Sequence, residues 1–247
     1  MIPLSASKIG TFLQCGRKFR FRYINRMPPS HKAAALGFGS AVHGALETFH
    51  QQRAAGASMT PNAVAGLFRI DWASEQVDEI RFKEDETAED LAVTGEALVK
   101  LYAAANQNVA VEAAEVPFEL PIAAGIVLRG VFDVLLAGGR VREMKTAAKD
   151  FDAGTLARHV QVSAYCWAYK EIRGHVPVVE IVALLKQKHP RLASHDVTRT
   201  EADLSWFVGL VVEVAHAIEA GVYPPNPSWA CTDCEYGEAC RAMGGGP

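Results

Sequence analysis

The chain has 247 residues, 49% of them hydrophobic and 21% charged, with a formal net charge of −3. That balance is typical of a soluble globular protein and excludes a generic polybasic coat for nucleic acid. No apolar stretch is long enough to span a bilayer, since Phe207–Ile218 is broken by Glu213 and His216. Met1–Gly10 holds no apolar signal core, so a cytoplasmic, reducing location with no membrane contact is expected. There, cysteines serve metals or catalysis more often than disulfides.

Charge is unevenly spread. Residues 1–46 carry seven Lys/Arg and no acidic residue, whereas residues 71–96 carry ten Asp/Glu against Arg81 and Lys83. Such asymmetry suits a polyanion on one face and repels it from another, which makes Arg17, Lys18 and Arg20 candidate contacts to it. Two solvated helix faces would account for the charges equally well.

Ser5 or Ser7 caps a predicted helix running to about Tyr23, and Pro28-Pro29 ends that segment. A second helix is expected over Phe38–Phe49, with Val42, Leu46 and Phe49 on one side. Residues 61–107 read as helical and partly acidic. Val111–Ile122, Ile126–Ala137 and Arg140–Thr146 read as strands, with Gly138-Gly139 between the last two. A helix over about Gly154–Arg173, an apolar strand over Val178–Lys186 and a helix over about Glu201–Glu219 follow. The end is loop-like and cysteine-rich, with Gly244–Gly246 unstructured. This order predicts one α/β domain, a mixed sheet flanked by helices. Its expected parts are a helical lobe (1–110), an α/β core (111–200) and a C-terminal segment (201–247).

Cys231, Cys234 and Cys240 form C-x2-C-x5-C in a loop behind Pro-rich sequence. Two thiolates at the short spacing can reach one metal centre from a single turn. A fourth ligand is needed, and Cys15 fits better than Cys166, which sits in a predicted helix among Val162, Ala164 and Trp167. Spacing alone leaves zinc and iron–sulfur open.

Asp133, Glu143 and Lys145 form D-x9-E-x-K across the hairpin. A two-residue Gly-Gly loop would turn Asp133 away from Glu143. A three-residue loop, Ala137-Gly138-Gly139, pairs Leu136 with Arg140 and sets Asp133 opposite Glu143, with Gly139 left-handed. Glu143 and Lys145 then share a face. Facing carboxylates repel unless a divalent cation uses both as ligands, and a lysine two residues on suits orienting water or offsetting phosphate charge. A charge at Asp133, next to Val134-Leu135-Leu136, is costly without a partner. His43 is a further candidate ligand, and Gln161 and Tyr165, four apart, share a helix face.

Together these motifs resemble the RecB-like branch of the PD-(D/E)XK nucleases, which includes small CRISPR-associated exonucleases. Ser5–Phe19 resembles the opening helix with Cys15 as the isolated cluster ligand, Gly37–Glu47 the histidine motif, and Glu115-Val-Pro-Phe the strand before the hairpin. Gln161–Tyr165 resembles Q-x3-Y, and Tyr223–Cys240 the terminal cysteine segment. Gly16 and Phe132 depart from the pattern where prolines are common. The resemblance implies a restriction-endonuclease-like fold, with Asp133, Glu143, Lys145, Gln161 and Tyr165 catalytic. It also implies Mg²⁺ or Mn²⁺ on His43, Asp133 and Glu143, and a structural [4Fe–4S] cluster on Cys15, Cys231, Cys234 and Cys240. The implied activity is hydrolysis of DNA, as an exonuclease on single-stranded or frayed ends. An end-trimming subunit of a CRISPR integration complex and a non-catalytic iron–sulfur DNA-binding protein are the rival readings. No G-x4-G-K-[ST] occurs, so a helicase, recombinase or CRISPR integrase is the expected partner in trans.

Overall fold

A computed structural model describes residues 1–75 and 80–244. Asp78 and Glu79 of the acidic stretch, and Gly245 and Gly246 of the glycine tail, lie outside the described residues. The chain forms two compact units, Met1–His31 with Phe118–Gly130 and Arg199–Pro247, and Lys32–Pro117 with Val131–Thr198. Both are discontinuous in sequence. Among the described residues, no helix is long and apolar enough to cross a membrane.

In the first unit, β1 (Ile2–Leu4) pairs in parallel with the start of β5 (Ile126–Leu136), Ile2 opposite Ile126. α1 (Ala6–Gln14) is capped by Ser5, whose Oγ accepts from the Lys8 N–H at 3.3 Å. The single helix expected to run to Tyr23 is interrupted. Cys15 is extended (φ −165°), and α2 (Gly16–Phe19) and a π-helical turn (Arg20–Ile24) follow. Gly16, just after the break, sits where a Cβ would meet the Pro224 carbonyl oxygen at 2.8 Å. α8 (Glu201–Glu219), closed by a Thr200–Asp203 capping box, packs against α1 and β1. A short 3₁₀ turn, Trp229–Cys231, and α9 (Gly237–Ala242) order the cysteine segment that was expected to be loop.

In the second unit, the end of β5 pairs antiparallel with β6 (Arg140–Ala147). β6 pairs in parallel with β7 (Val178–Leu185), and β7 antiparallel with β8 (Arg191–Val197). β4 (Val111–Ala123) is the other neighbour of β5. Two residues on each side, β2 (Lys32–Ala33) and β3 (Ile80–Arg81), form a separate ribbon. α3 (Ala34–Ala54), α4 (Pro61–Glu75) and α5 (Ala88–Ala105) bury Phe38, Leu46, Phe49, Phe68, Trp72 and Tyr102 with Val134, Met144, Val182 and Leu184 of the sheet. Gly95 lets α5 lie directly on the Phe68 ring. The helix expected over 154–173 is two helices, α6 (Ala153–Ala157) and α7 (Val160–Arg173), separated by an extended His159.

Candidate active site

Every predicted catalytic residue lies in the second unit. The β5–β6 hairpin turns on Ala137-Gly138-Gly139, with φ of 83° and 76° at the glycines. Leu136 pairs with Arg140 and Val134 with Arg142, the three-residue register derived from the sequence. Asp133 and Glu143 are the next residues on the two strands. The ladder ends there, and β6 continues beside β7, with Glu143 opposite Ile181 and Lys145 opposite Ala183. In the opening, the Met144 N–H donates to Asp133 Oδ2 at 3.4 Å.

α7 ties the two strands together through Gln161 and Tyr165, which share one helix face. Gln161 Oε1 accepts from Lys145 Nζ at 2.8 Å, and Gln161 Nε2 donates to Glu143 Oε2 at 2.8 Å and to the Tyr165 hydroxyl at 2.9 Å. The Tyr165 hydroxyl lies 2.6 Å from the Val131 carbonyl and 2.9 Å from Asp133 Oδ1, and its one proton serves either acceptor. Lys145 Nζ is also 2.5 Å from Glu143 Oε1. α3 brings in His43, with Nδ1 3.8 Å from Asp133 Oδ2 and Nε2 3.1 Å from Glu115 Oε1. Gly39, one turn earlier, lets that helix come close to β6, where a Cβ would stand 3.4 Å from Thr146 Oγ1. The structure thus joins His43, Asp133, Glu143, Lys145, Gln161 and Tyr165 in one network.

The model of the PD-(D/E)XK nuclease superfamily matches residues 3–241. This chain belongs to that superfamily. A crystal structure of a candidate exonuclease from Eubacterium rectale shares the fold at 14% identity and a TM-score of 0.62, covering 96% of this chain and 87% of the other. The structure of SSO0001, also 14% identical, covers 98% and 87%, with a TM-score of 0.45 that carries no argument. No curated protein matches significantly.

PD-(D/E)XK nucleases work with divalent cations, and the donor set here suits one. Asp133 and Glu143 are 6% and 2% exposed. Burial, and then repulsion from Glu143, push Asp133 up to about 8, against the pull of His43 and the Tyr165 hydroxyl. The hydrogen bond to Glu115 raises His43 to about 9, opposed by burial and aided by the charge of Asp133. The pocket therefore holds protons where a cation would bind, and hard oxygens with one imidazole are the donors that suit Mg²⁺ or Mn²⁺. Two acidic neighbours were given no role from the sequence. Glu47, one turn after His43, and Glu115 bring ligand atoms within 4.8 Å of each other and of His43. The i, i+4 spacing of His43 and Glu47 was the available signal for the first. For Glu115 the signal was the Glu115-Val-Pro-Phe strand motif, which does not foretell its approach to His43, because that depends on a left-handed backbone inside β4 (φ 53°).

The four predicted cluster ligands meet in the first unit. Cys15, Cys231, Cys234 and Cys240 line one pocket with Phe21 and Tyr236, while Cys166 is fully buried on α7. Cys15 arrives on the extended residue between α1 and α2. Cys240 Sγ accepts from Arg17 Nη1 at 3.8 Å and Cys231 Sγ from the Ser228 N–H at 3.5 Å, the donor pattern that thiolates need. Burial raises the Cys234 thiol above its ordinary value. The residues fit a thiolate-bound inorganic centre. Gly16, where the family pattern often has proline, is required by the close passage of Pro224.

The basic candidates divide. Arg17 faces Cys240, and Lys18 pairs with Glu235 at 2.9 Å. Arg20 is exposed, its guanidinium 6.0 Å from the centre of the Tyr223 ring. The first two are engaged at the cysteine pocket.

Proposed function

We propose that this chain is a metal-dependent deoxyribonuclease, an exonuclease on single-stranded or frayed DNA ends, with a structural [4Fe–4S] cluster in its first unit. The network linking Lys145, Glu143, Gln161, Tyr165 and Asp133 carries the nuclease reading. A divalent ion on Asp133, Glu143 and His43 would supply Lewis acidity at a phosphate oxygen and an acidified water. Asp133 and Glu143 give the negative charge that holds it, and Tyr165 and Gln161 keep both carboxylates aimed inward. Lys145, pinned between Glu143 and Gln161, sets its ammonium where negative charge grows on the phosphate and where the attacking water gives up its proton. Lys145 Nζ is held by both Glu143 Oε1 and Gln161 Oε1, so the ammonium cannot swing away without breaking two bonds.

The exonuclease mode follows from the resemblance to the RecB-like branch, with which the Eubacterium rectale structure's description agrees. Among the basic candidates, Arg20 remains the proposed DNA contact, acting with exposed Arg22 and Arg26. For the cluster, the choice of iron–sulfur over zinc follows from the resemblance of the terminal cysteine segment to the RecB-like branch. A cytoplasmic location and a helicase, recombinase or CRISPR integrase acting in trans complete the reading.

The test uses anaerobically purified protein with Mn²⁺ and single-stranded or duplex DNA labelled at either end, beside Asp133→Ala. Mononucleotide or short-oligomer release that vanishes in the variant is expected. Absence of any cleavage by the wild type on all substrates would refute it.

A further inference from the structure

We infer that Glu115 is a positioning residue: it accepts the hydrogen bond of the His43 Nε2–H, so that Nδ1 is the nitrogen left to bind the cation beside Asp133. This rests on the metal-dependent reading above and adds to it a nitrogen and an orienting carboxylate.

A neutral imidazole carries one N–H and one lone pair, and its partners decide which nitrogen has which. Glu115 Oε1 lies 3.1 Å from Nε2, a hydrogen-bond distance, and an ionised carboxylate only accepts. The tautomer with hydrogen on Nε2 is therefore the favoured one, and its lone pair lies on Nδ1. That nitrogen faces Asp133 Oδ2 at 3.8 Å, too long for a hydrogen bond. Two ligand atoms bound at about 2.1 Å to one cation can stand up to about 4 Å apart, so the gap suits a shared ion. A carboxylate on the far nitrogen of a ligating histidine fixes the ring and raises its basicity.

The backbone at Glu115 has the same sense. Among the described residues only Arg26 and Glu115 are non-glycine residues with positive φ, and Glu115 sits inside a 13-residue strand. A left-handed residue in a strand redirects its own side chain, and for glutamate that conformation is unfavourable. Here the redirected carboxylate ends on His43. Glu47 offers a different arrangement, in which His43, Glu47 and Glu115 themselves hold the ion. Two features favour the Asp133 side. Glu47 Oε1 already accepts from Gln51 Nε2 at 2.9 Å, and the Asp133 and Glu143 side chains are 8% and 3% exposed, against 23% for Glu115. The deeper charges gain more from a cation.

The test measures Mn²⁺ affinity by titration calorimetry and thermal unfolding, without DNA, on the full chain. The variants are Glu115→Gln, Glu115→Ala, Glu115→Gly and Glu47→Gln. Glutamine keeps an acceptor for the Nε2 proton, so Glu115→Gln should stay within about fivefold of the wild type. Glu115→Ala and Glu115→Gly should weaken binding about 10–100-fold. Glu115→Gly should also unfold at a higher temperature than Glu115→Ala, because glycine adopts this φ freely. Glu47→Gln should bind as the wild type does. If Glu115→Gln loses as much affinity as Glu115→Ala, or Glu47→Gln weakens binding tenfold, the carboxylates are ligands and the inference falls. Undiminished affinity in Glu115→Ala overturns it as well, leaving the metal-dependent reading intact. No Mn²⁺ uptake by the wild type would overturn both.

Discussion

Asp133→Asn should make the cation-free protein more stable while abolishing its nuclease activity. Asp133 is 6% exposed and is raised to about 8, first by burial and then by Glu143. The folded chain therefore holds a proton that the unfolded chain, with a carboxyl near 3.8, releases. Between these values folding takes up a proton, so this group's contribution becomes less favourable as pH rises. At pH 7 that is a little over three pH units, at about 1.4 kcal/mol each, or about 4 kcal/mol. Asparagine does not ionise and escapes this cost. It keeps an oxygen for Tyr165 but turns a donor toward the Met144 N–H, losing about 1 kcal/mol. The net gain of about 3 kcal/mol corresponds to a melting temperature about 6–12 °C higher in a chain of this size. Saturating Mn²⁺ should then stabilise the wild type by about 2.7 kcal/mol at a hundredfold excess over Kd, nearly closing the gap, and leave the variant little changed. Thermal unfolding in EDTA and in graded Mn²⁺, with cleavage of end-labelled single-stranded DNA, measures all of this. A variant that melts at or below the wild type in EDTA would refute the reasoning, because Asp133 would then carry no desolvation penalty.

Lys145→Ala should keep Mn²⁺ binding and lower turnover about 10²–10⁴-fold; cleavage at the wild-type rate would remove Lys145 from the chemistry. Cys15→Ala should give colourless protein with a protease-sensitive C-terminal segment, whereas Cys166→Ala should stay brown, as absorbance near 400 nm and iron analysis of both will tell. Burial, reinforced by the charges of Arg142 and Arg53, lowers His50 to about 3, and its Nε2 bonds the Tyr102 hydroxyl at 2.8 Å. Below pH 6.5 the unfolded chain takes up a proton that folded His50 refuses, so about 2 kcal/mol should be lost by pH 5. Urea unfolding across that range should show a shallower acid slope in His50→Gln, and an equal slope would clear His50 of the effect.

The β5–β6 hairpin was legible because its information is local. Strand alternation, a three-residue turn and two glycines free to adopt positive φ determine which residues stand opposite each other, Leu136 with Arg140 and Val134 with Arg142, and leave Asp133 and Glu143 next on the two strands. The Gln161–Tyr165 pair was legible for the same reason, since four residues of helix bring two side chains to one face. The cysteine spacing likewise anticipated that Cys231, Cys234 and Cys240 line one pocket.

What tertiary structure decided concerns partners far apart in the chain and backbone conformations that local sequence does not encode. β8 carries the polar Arg191–Val197, and its pairing with β7 supplies the order that its own hydrophobicity does not. Arg17 and Lys18 read from charge as candidate contacts to a polyanion. Their partners, Cys240 and Glu235, come from more than two hundred residues away, so only folding turns those two cations to the cysteine pocket. Glu115 meets His43 across 72 residues through a left-handed residue inside a strand, a conformation that glutamate does not favour by itself and that the surrounding contacts must hold.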